Sequence, residues 1–276
     1  TDGSAEWIAD RYDQVHLLLN ETNEGFAAGY NKAIAACSQP FVLILNTDVF
    51  LAPDFIEVTL AALAEYPEAG AATGSVFQQG TGEWLNSGFF LRPQMRTEHS
   101  ANLDRAEAVF GCSGALILFR REMLEDIRIE GQYFDEAYFS YGEDIDLAWR
   151  AQLLGWQARF TPGAKAHHVG SGSSDERLRF VDKPAFLQRH LLKNRYLTLV
   201  KNTSTGVLPY VLLPFILAEP LVWLYLLLRL PWRFPYLLLA LADTCRHLPT
   251  ALRWRRQLMR RQRVSAAYIR QFLRRV

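Results

Sequence analysis

Over residues 1 to about 165, short apolar runs alternate with segments of helical spacing, the order expected of an α/β layer domain with a largely parallel sheet. Ser4 to Tyr12 has the pattern of a helix capped by Asp2 or Ser4, Val15 to Leu19 that of a strand, and Gly25 to Cys37 that of a small-residue helix. Phe41 to Leu45 is a continuous apolar run that predicts a buried central strand, ended by the polar turn Asn46-Thr47-Asp48. A helix follows between Pro53, where proline suits a first turn, and Pro67. Ala71 to Phe77 and Ala115 to Phe119 predict strands, with a short helix from Arg120 to Asp126. A polar aromatic loop, Tyr133 to Gly142, leads into a helix from Asp144 to Leu154. Gly155 stands where a left-handed residue closes a helix, and Gln157 to Thr161 reads as the last strand of this domain.

The pattern changes after about residue 176. Phe186 to Lys201 is amphipathic, and Val207 to Leu230 is an apolar stretch of 24 residues interrupted by Glu219, Arg229 and prolines 209, 214 and 220. Pro235 to Ala242 is a second apolar run. A spanning helix needs about 20 mainly apolar residues; the prolines and Glu219 favour broken helices in the membrane interface over a simple span. The tail sets Leu252, Leu258, Met259, Tyr268, Ile269, Phe272 and Leu273 at roughly helical spacing among arginines, which predicts a basic amphipathic helix on anionic headgroups.

Charge sharpens this division. The 276 residues carry a net +1, but residues 246 to 276 hold ten Arg, no Lys and no acid, leaving 20 basic and 29 acidic groups on the rest. An acidic body with a basic end argues against nucleic-acid binding and for an anionic membrane surface as partner. The three cysteines are far apart and form no CxxC pair, as expected in a reducing compartment. No signal peptide is recognisable at the amino terminus, and the chain opens on Thr-Asp-Gly-Ser without Met, so an upstream piece is expected.

Four constellations have chemical potential. Asp48 stands after an apolar strand, where open α/β sheets bind ligands, although the same residue also makes a turn or a helix cap. Glu143, Asp144 and Asp146 crowd a helix start; dipole and Arg150 pairing explain some of this, while mutual repulsion predicts at least one raised pKa suited to proton abstraction. His167 and His168 precede the hydroxyl-rich stretch Gly170 to Ser174, and a histidine paired with Asp48 favours Mn2+ or tolerates Mg2+. Asn23 to Asn31 begins a helix with glycines that permit close approach of a phosphate or base, or tight packing.

In this order, the run Asn-Glu-Gly-Phe-Ala-Ala-Gly-Tyr-Asn, Leu-Asn-Thr-Asp, Gly-Cys-Ser-Gly-Ala and Phe-Asp-Glu-Ala-Tyr-Phe-Ser-Tyr-Gly-Glu-Asp-Ile-Asp-Leu resembles the family 2 glycosyltransferases of the GT-A fold, in particular their bacterial rhamnosyltransferase-like branch. The resemblance covers residues 1 to about 202. It implies a GT-A, Rossmann-like, mixed and mainly parallel sheet flanked by helices, lacking the family's first strand, helix and strand. The domains expected are an incomplete catalytic domain (1–176), a helical connector (177–206), membrane-associating helices (207–245) and the Arg-rich tail (246–276).

By the same resemblance, Asp48 is the last acid of a DxD-type element, with Asn46 in place of its first acid, and His168 is the second ligand of a divalent cation, Mn2+ or Mg2+. Asp144 is the catalytic base and Glu143 positions the acceptor or tunes that base. Asn23, Gly25, Asn31 and Asn46 are the remaining donor contacts. The implied reaction is inverting transfer from a nucleotide-sugar donor, with dTDP-rhamnose suggested by the branch, to a polyprenyl-linked saccharide at the cytoplasmic face of the inner membrane. Trp84, Phe89 and the Tyr133 to Tyr141 loop are expected near the acceptor path. A non-catalytic scaffold or glycan-binding protein of the same fold, and a metal-dependent phosphoryl-transfer enzyme, are the rival classes.

Overall fold

The computed structural model describes residues 2–169 and 180–273. The Gly170 to Ser174 stretch, and Arg274 and Arg275 of the tail, lie outside the described residues. Helix α1 (Ser4–Ala9) starts where expected, with Asp2 Oδ1 accepting from Ser4 N at 3.0 Å and from Ser4 Oγ at 2.7 Å. Val15 to Leu19 is not a strand: among the described residues no neighbour pairs with it, and Leu18 and Leu19 are exposed. An apolar run becomes a strand only through a ladder partner, which spacing alone does not supply.

Helix α2 (Gly25–Ala36) leads to β1 (Phe41–Leu45) and the short β2 (Val49–Leu51), then to α3 (Phe55–Glu65) and the long β3 (Ala69–Gln78). Five short strands follow, β4 (Trp84–Asn86), β5 (Gly88–Arg92), β6 (Arg96–His99), β7 (Glu107–Val109) and β8 (Gly111–Cys112). Strand β9 (Leu116–Arg120), α4 (Arg121–Ile127), α5 (Glu143–Leu153) and β10 (Gln157–His168) complete the layer domain. The main sheet has the order β1-β9-β3-β10-β2, with β4 beside β3 and β7 beside β10. Strands β6, β5 and β8 form a second small sheet.

The sheet is mixed, but less parallel than the sequence pattern suggests. Strands β3 and β10 pair in parallel, whereas β9 runs antiparallel to both β1 and β3. Strand β1 lies at the end of this order, not in its centre; only Val42 and Ile44 of its five residues are buried. A short apolar run does not tell one buried face from two. Strand β10 continues past Thr161 to His168, and its last residues pair with β2 just beyond the Asn46-Thr47-Asp48 turn.

The carboxyl-terminal helices differ from expectation in two respects. Helix α7 (Leu208–Arg229) is unbroken through Pro214 and Pro220. Interior proline costs a hydrogen bond and a clash, but Val211, Phe215 and Leu226 anchor one stripe of α7 to the body. Val207 before it and Leu230 after it are buried too, so the helix lies along the body. It is long and apolar enough to cross a membrane, and Leu213, Leu217, Leu221 and Leu228 are each more than 60% exposed.

The tail is not a free lipid-facing helix. After α6 (Ala185–Asn202), α8 (Phe234–Arg261) and α9 (Ala266–Arg270) bring Trp254, Leu258, Ile269 and Phe272 into the main core. Arg253 grips Glu130 through Nε at 2.6 Å, and Arg263 donates both terminal nitrogens to Asp126 at 2.8 Å. Arg253, Arg261 and Arg263 of the tail thus meet acids of the body, and the burial of Trp254, Leu258, Ile269 and Phe272 contributes about 1.5–3 kcal/mol each.

Candidate active site

Asp48 and His168 are far apart in sequence, but the antiparallel pairing of His168 with Val49 sets them side by side. Val169 N donates to Asp48 O at 2.9 Å, closing the turn. His168 Nε2 lies 3.1 Å from Asp48 Oδ2. The imidazole is buried, and Nε2 has no well-directed hydrogen bond despite that short approach. An orphaned imidazole nitrogen beside a carboxylate oxygen fits a divalent cation, since neighbouring ligands in an octahedral shell with bonds of 2.0–2.1 Å stand about 3 Å apart. Among the described residues no group of three His, Cys, Asp or Glu side chains gathers to hold a metal.

Helix α5 carries the crowded acids. Gly142, at φ 84°, turns the chain into it, and Gly114 N donates to Asp144 Oδ2 at 3.1 Å. Ile145 N donates to Asp144 Oδ1 at 2.8 Å, so backbone amides fix the carboxylate. Glu143 is buried with Oε2 unpaired, and its pKa is raised well above the carboxylate range by burial first and by the Asp144 and Asp146 charges next. The raised acid expected from the crowding is therefore Glu143.

Asp146 behaves in the opposite way. Burial alone would raise its pKa, but Lys201 and Arg150 outweigh that and hold it low. Its carboxylate receives Arg150 Nε at 3.0 Å, Lys201 Nζ at 2.8 Å and Asn202 Nδ2 at 2.7 Å. This acid ties α5 to α6. Asn194, also on α6, donates to the carbonyls of Tyr138 at 2.9 Å, Ser140 at 3.0 Å and Tyr141 at 2.6 Å, and so sets the loop that delivers Glu143 and Asp144. Nothing in its sequence context marks Asn194.

These groups border one cavity of about 720 Å3. Asn46, His168, Glu143 and Asp144 line it; Asp48 is not among the lining residues but lies 3.1 Å from His168. The cavity is of the size that small-molecule sites occupy. Phe89 and Tyr141 line it as expected, and Trp84 stands one ring away, edge-on to the lining residue His99 at 6.1 Å. Its far wall is Val222, Tyr225 and Leu226 of α7, together with Lys183 and Arg195, none of which sequence reasoning placed at the site.

Three of the four expected donor contacts do not line this cavity. Asn31 is a clamp: Oδ1 accepts from Tyr133 N and Phe134 N, and Nδ2 donates to Phe134 O and Glu136 Oε1. Its amide is fully used, so none of it is left for a nucleotide. Gly25 has φ 84°, and a Cβ there would come 2.5 Å from Phe139 O, so its missing side chain admits the loop. Asn23 accepts from Gly25 N at 3.0 Å on the exposed turn before α2 and does not line the cavity. Asn46 does.

A mixed sheet between helices, with acids and a histidine meeting at its strand ends around one cavity, is the frame of a GT-A-type glycosyltransferase domain. The chain belongs to the family described as Glycosyltransferase like family 2, whose profile matches residues 4–185, more than half of its length. It is 28% identical over 204 residues to the N-acetylglucosaminyl-diphospho-decaprenol L-rhamnosyltransferase of Mycobacterium tuberculosis (strain ATCC 25618 / H37Rv), a match covering 62% of this chain and 65% of that protein. It is 29% identical over 164 residues to the pre-mycofactocin glycosyltransferase of the same strain, covering 56% of this chain and 32% of that protein. The crystal structure of GalNAc-T7 with UDP, GalNAc and Mn2+ superposes with a TM-score of 0.56 at 12% identity, over 73% of this chain and 39% of that one, which is a likeness of fold.

Proposed function

We propose that the protein is a metal-dependent, inverting glycosyltransferase that moves a sugar from a nucleotide-diphosphate donor to a hydroxyl of a lipid-linked saccharide in cell-envelope polysaccharide synthesis. The observation that carries this reading is the single cavity joining Asp144 and Glu143 to Asn46 and to the His168–Asp48 pair. Asp144, oriented by two backbone amides, takes the proton of the acceptor hydroxyl as that oxygen attacks the anomeric carbon. Glu143, whose pKa burial and the neighbouring acids raise, stands beside that base and positions the acceptor or tunes the base. Asp48 and His168 would hold the divalent cation, Mn2+ or Mg2+, which when bound would supply positive charge beside the departing diphosphate. Rhamnose is the sugar favoured by the similarity to the mycobacterial rhamnosyltransferase, and dTDP as its carrier rests on the family resemblance alone.

The exposed apolar flank of α7 supports attachment to the cytoplasmic face of the inner membrane as a monotopic protein. Val207 and Leu230, which flank the helix, are buried against the rest of the protein, which favours a helix lying on the membrane over one crossing it. Asp144→Asn tests the assignment. Asn is nearly isosteric and keeps an oxygen for Gly114 N, so transfer should fall by about 10²–10⁴-fold while Mn2+-dependent donor binding stays. Unchanged turnover would reject Asp144 as the base; absence of any turnover in well-folded wild type would favour a non-catalytic scaffold.

A further inference from the structure

Glu219 is the one acid of α7 and the one charged residue before Arg229 at its end. A carboxylate there costs free energy unless it is paired, and its partners show what it does. Arg195 of α6 forms an ion pair with it, Tyr196 Oη donates to Oε1, and Trp223 Nε1 donates to Oε1 at 2.9 Å. The result is an arginine braced from behind by a carboxylate and flanked by the rings of Tyr196 and Phe215, at 5.7 and 4.7 Å from its guanidinium carbon.

Arg195 lines the cavity that holds Asp144, and its buried Nε has no acceptor. A guanidinium offers five donors in a planar fork suited to phosphate oxygens. Lys183 lines the same cavity, its ammonium 5.3 Å from the centroid of the Tyr141 ring. Beside these cations the wall becomes apolar through Val222, Tyr225 and Leu226. Tyr225 is itself 46% exposed, and Leu221, Leu224 and Leu228 continue the apolar surface outward along α7.

Cations at the cavity wall that give way to an apolar rail fit a ligand with an anionic junction and a long hydrocarbon chain. We infer that Arg195 and Lys183 bind the diphosphate of a polyprenyl-linked acceptor, whose chain leaves the cavity along α7 beside Tyr225. This rests on the proposal of a lipid-linked acceptor and gives that acceptor a specific seat. Glu219 is then a positioning residue that holds Arg195 at the cavity wall. A diphosphate also belongs to the nucleotide-sugar donor, whose seat is at Asp48 and His168, so the test separates the two sources.

The test is binding to the full chain in detergent, by calorimetry, of three probes: farnesyl diphosphate, farnesol, and dTDP with Mn2+. Wild type, Arg195→Gln, Arg195→Lys and Lys183→Gln are compared, with thermal unfolding as the control for folding. Arg195→Gln and Lys183→Gln should each weaken farnesyl diphosphate by about 10-fold or more, leave farnesol within 2-fold (about the error of such a comparison) and leave dTDP unchanged. Arg195→Lys, which keeps the charge and loses the fork, should fall in between. Farnesyl diphosphate binding untouched by the substitutions, or a matching loss of dTDP, would overturn the inference. If Arg195→Gln does not fold, Lys183→Gln decides alone. No sugar transfer enters the measurement, so a chain that binds farnesyl diphosphate through these residues without transferring sugar would sink the enzymatic proposal and leave the subsite standing.

Discussion

Replacing Lys201 by Met removes a cation from the centre of the molecule and should be among the most damaging single changes outside the cavity. Lys201 is fully buried, donates to Asp146 Oδ1 at 2.8 Å and also pairs with Asp135. Methionine fills similar volume, so the loss is electrostatic. Asp146 keeps Arg150 and Asn202, but Asp135 loses its cation and retains the Ala137 amide at 3.0 Å. Removing one partner of a buried ion pair costs about 3–5 kcal/mol.

The pH dependence fixes the sign. Asp146 has a lowered pKa in the folded protein, because Lys201 and Arg150 overcome burial. Its contribution to stability is therefore present above the unfolded carboxylate pKa of about 3.9 and is lost as pH falls through the lower folded value. Without Lys201 burial weighs more, the folded pKa rises, and the acid-side loss of stability begins at higher pH. Urea unfolding followed by tryptophan fluorescence between pH 4 and 8 (about the span needed) measures both effects. A Lys201→Met protein within about 1 kcal/mol of wild type, the range of an exposed pair, with the same acid limb, would refute the reasoning.

Four further outcomes are expected. Asp144→Asn should lose transfer by the factor given above while holding donor, read by radiolabelled sugar transfer alongside donor titration. Glu143 has a raised folded pKa, so its contribution to stability is full below the unfolded value and is lost as pH rises through the folded one; Glu143→Gln should remove that loss, seen as thermal midpoints that fall less as pH rises above the usual carboxylate range. Leu217→Glu, Leu221→Glu and Leu228→Glu together alter exposed positions and, at about 2 kcal/mol for each leucine withdrawn from lipid, should cut vesicle binding by roughly 100-fold or more with little change in unfolding; undiminished binding would exclude α7 as the docking face. Truncation after Asn202 should give aggregated protein instead of a soluble domain, because Trp254, Leu258, Ile269 and Phe272 leave the core; a monodisperse, cooperatively unfolding product would contradict the packing described.

The helices and most strands of the layer domain were legible because each carries its own period and punctuation, as with Gly155 closing α5 at φ 89°. What depends on partners was not. Val15 to Leu19 has the composition of a strand but no ladder, and the tail has the spacing of a membrane helix but spends its apolar face on the body. The adjacency of Asp48 and His168 came from family resemblance, and the pairing of β2 with β10 supplies its physical basis. For Asn31 and Gly25 the structure shows neighbours that the sequence does not announce. A small or polar residue at a helix start serves a ligand or a neighbouring loop equally well by sequence, and here the Tyr133 to Gly142 loop takes both. Arg195 and Asn194 sit in an ordinary helical pattern whose significance appears only once α7 and the loop pack against it.

The most direct test of the central claim is release of nucleoside diphosphate from a panel of nucleotide sugars by the full-length protein, with a lipid-linked saccharide present, in Mn2+, Mg2+ or EDTA. The account predicts release from one donor, dependent on the cation and lost in both His168→Ala and Asp144→Asn. Release that persists in EDTA and in both variants, or no release from any donor by well-folded protein, would contradict it.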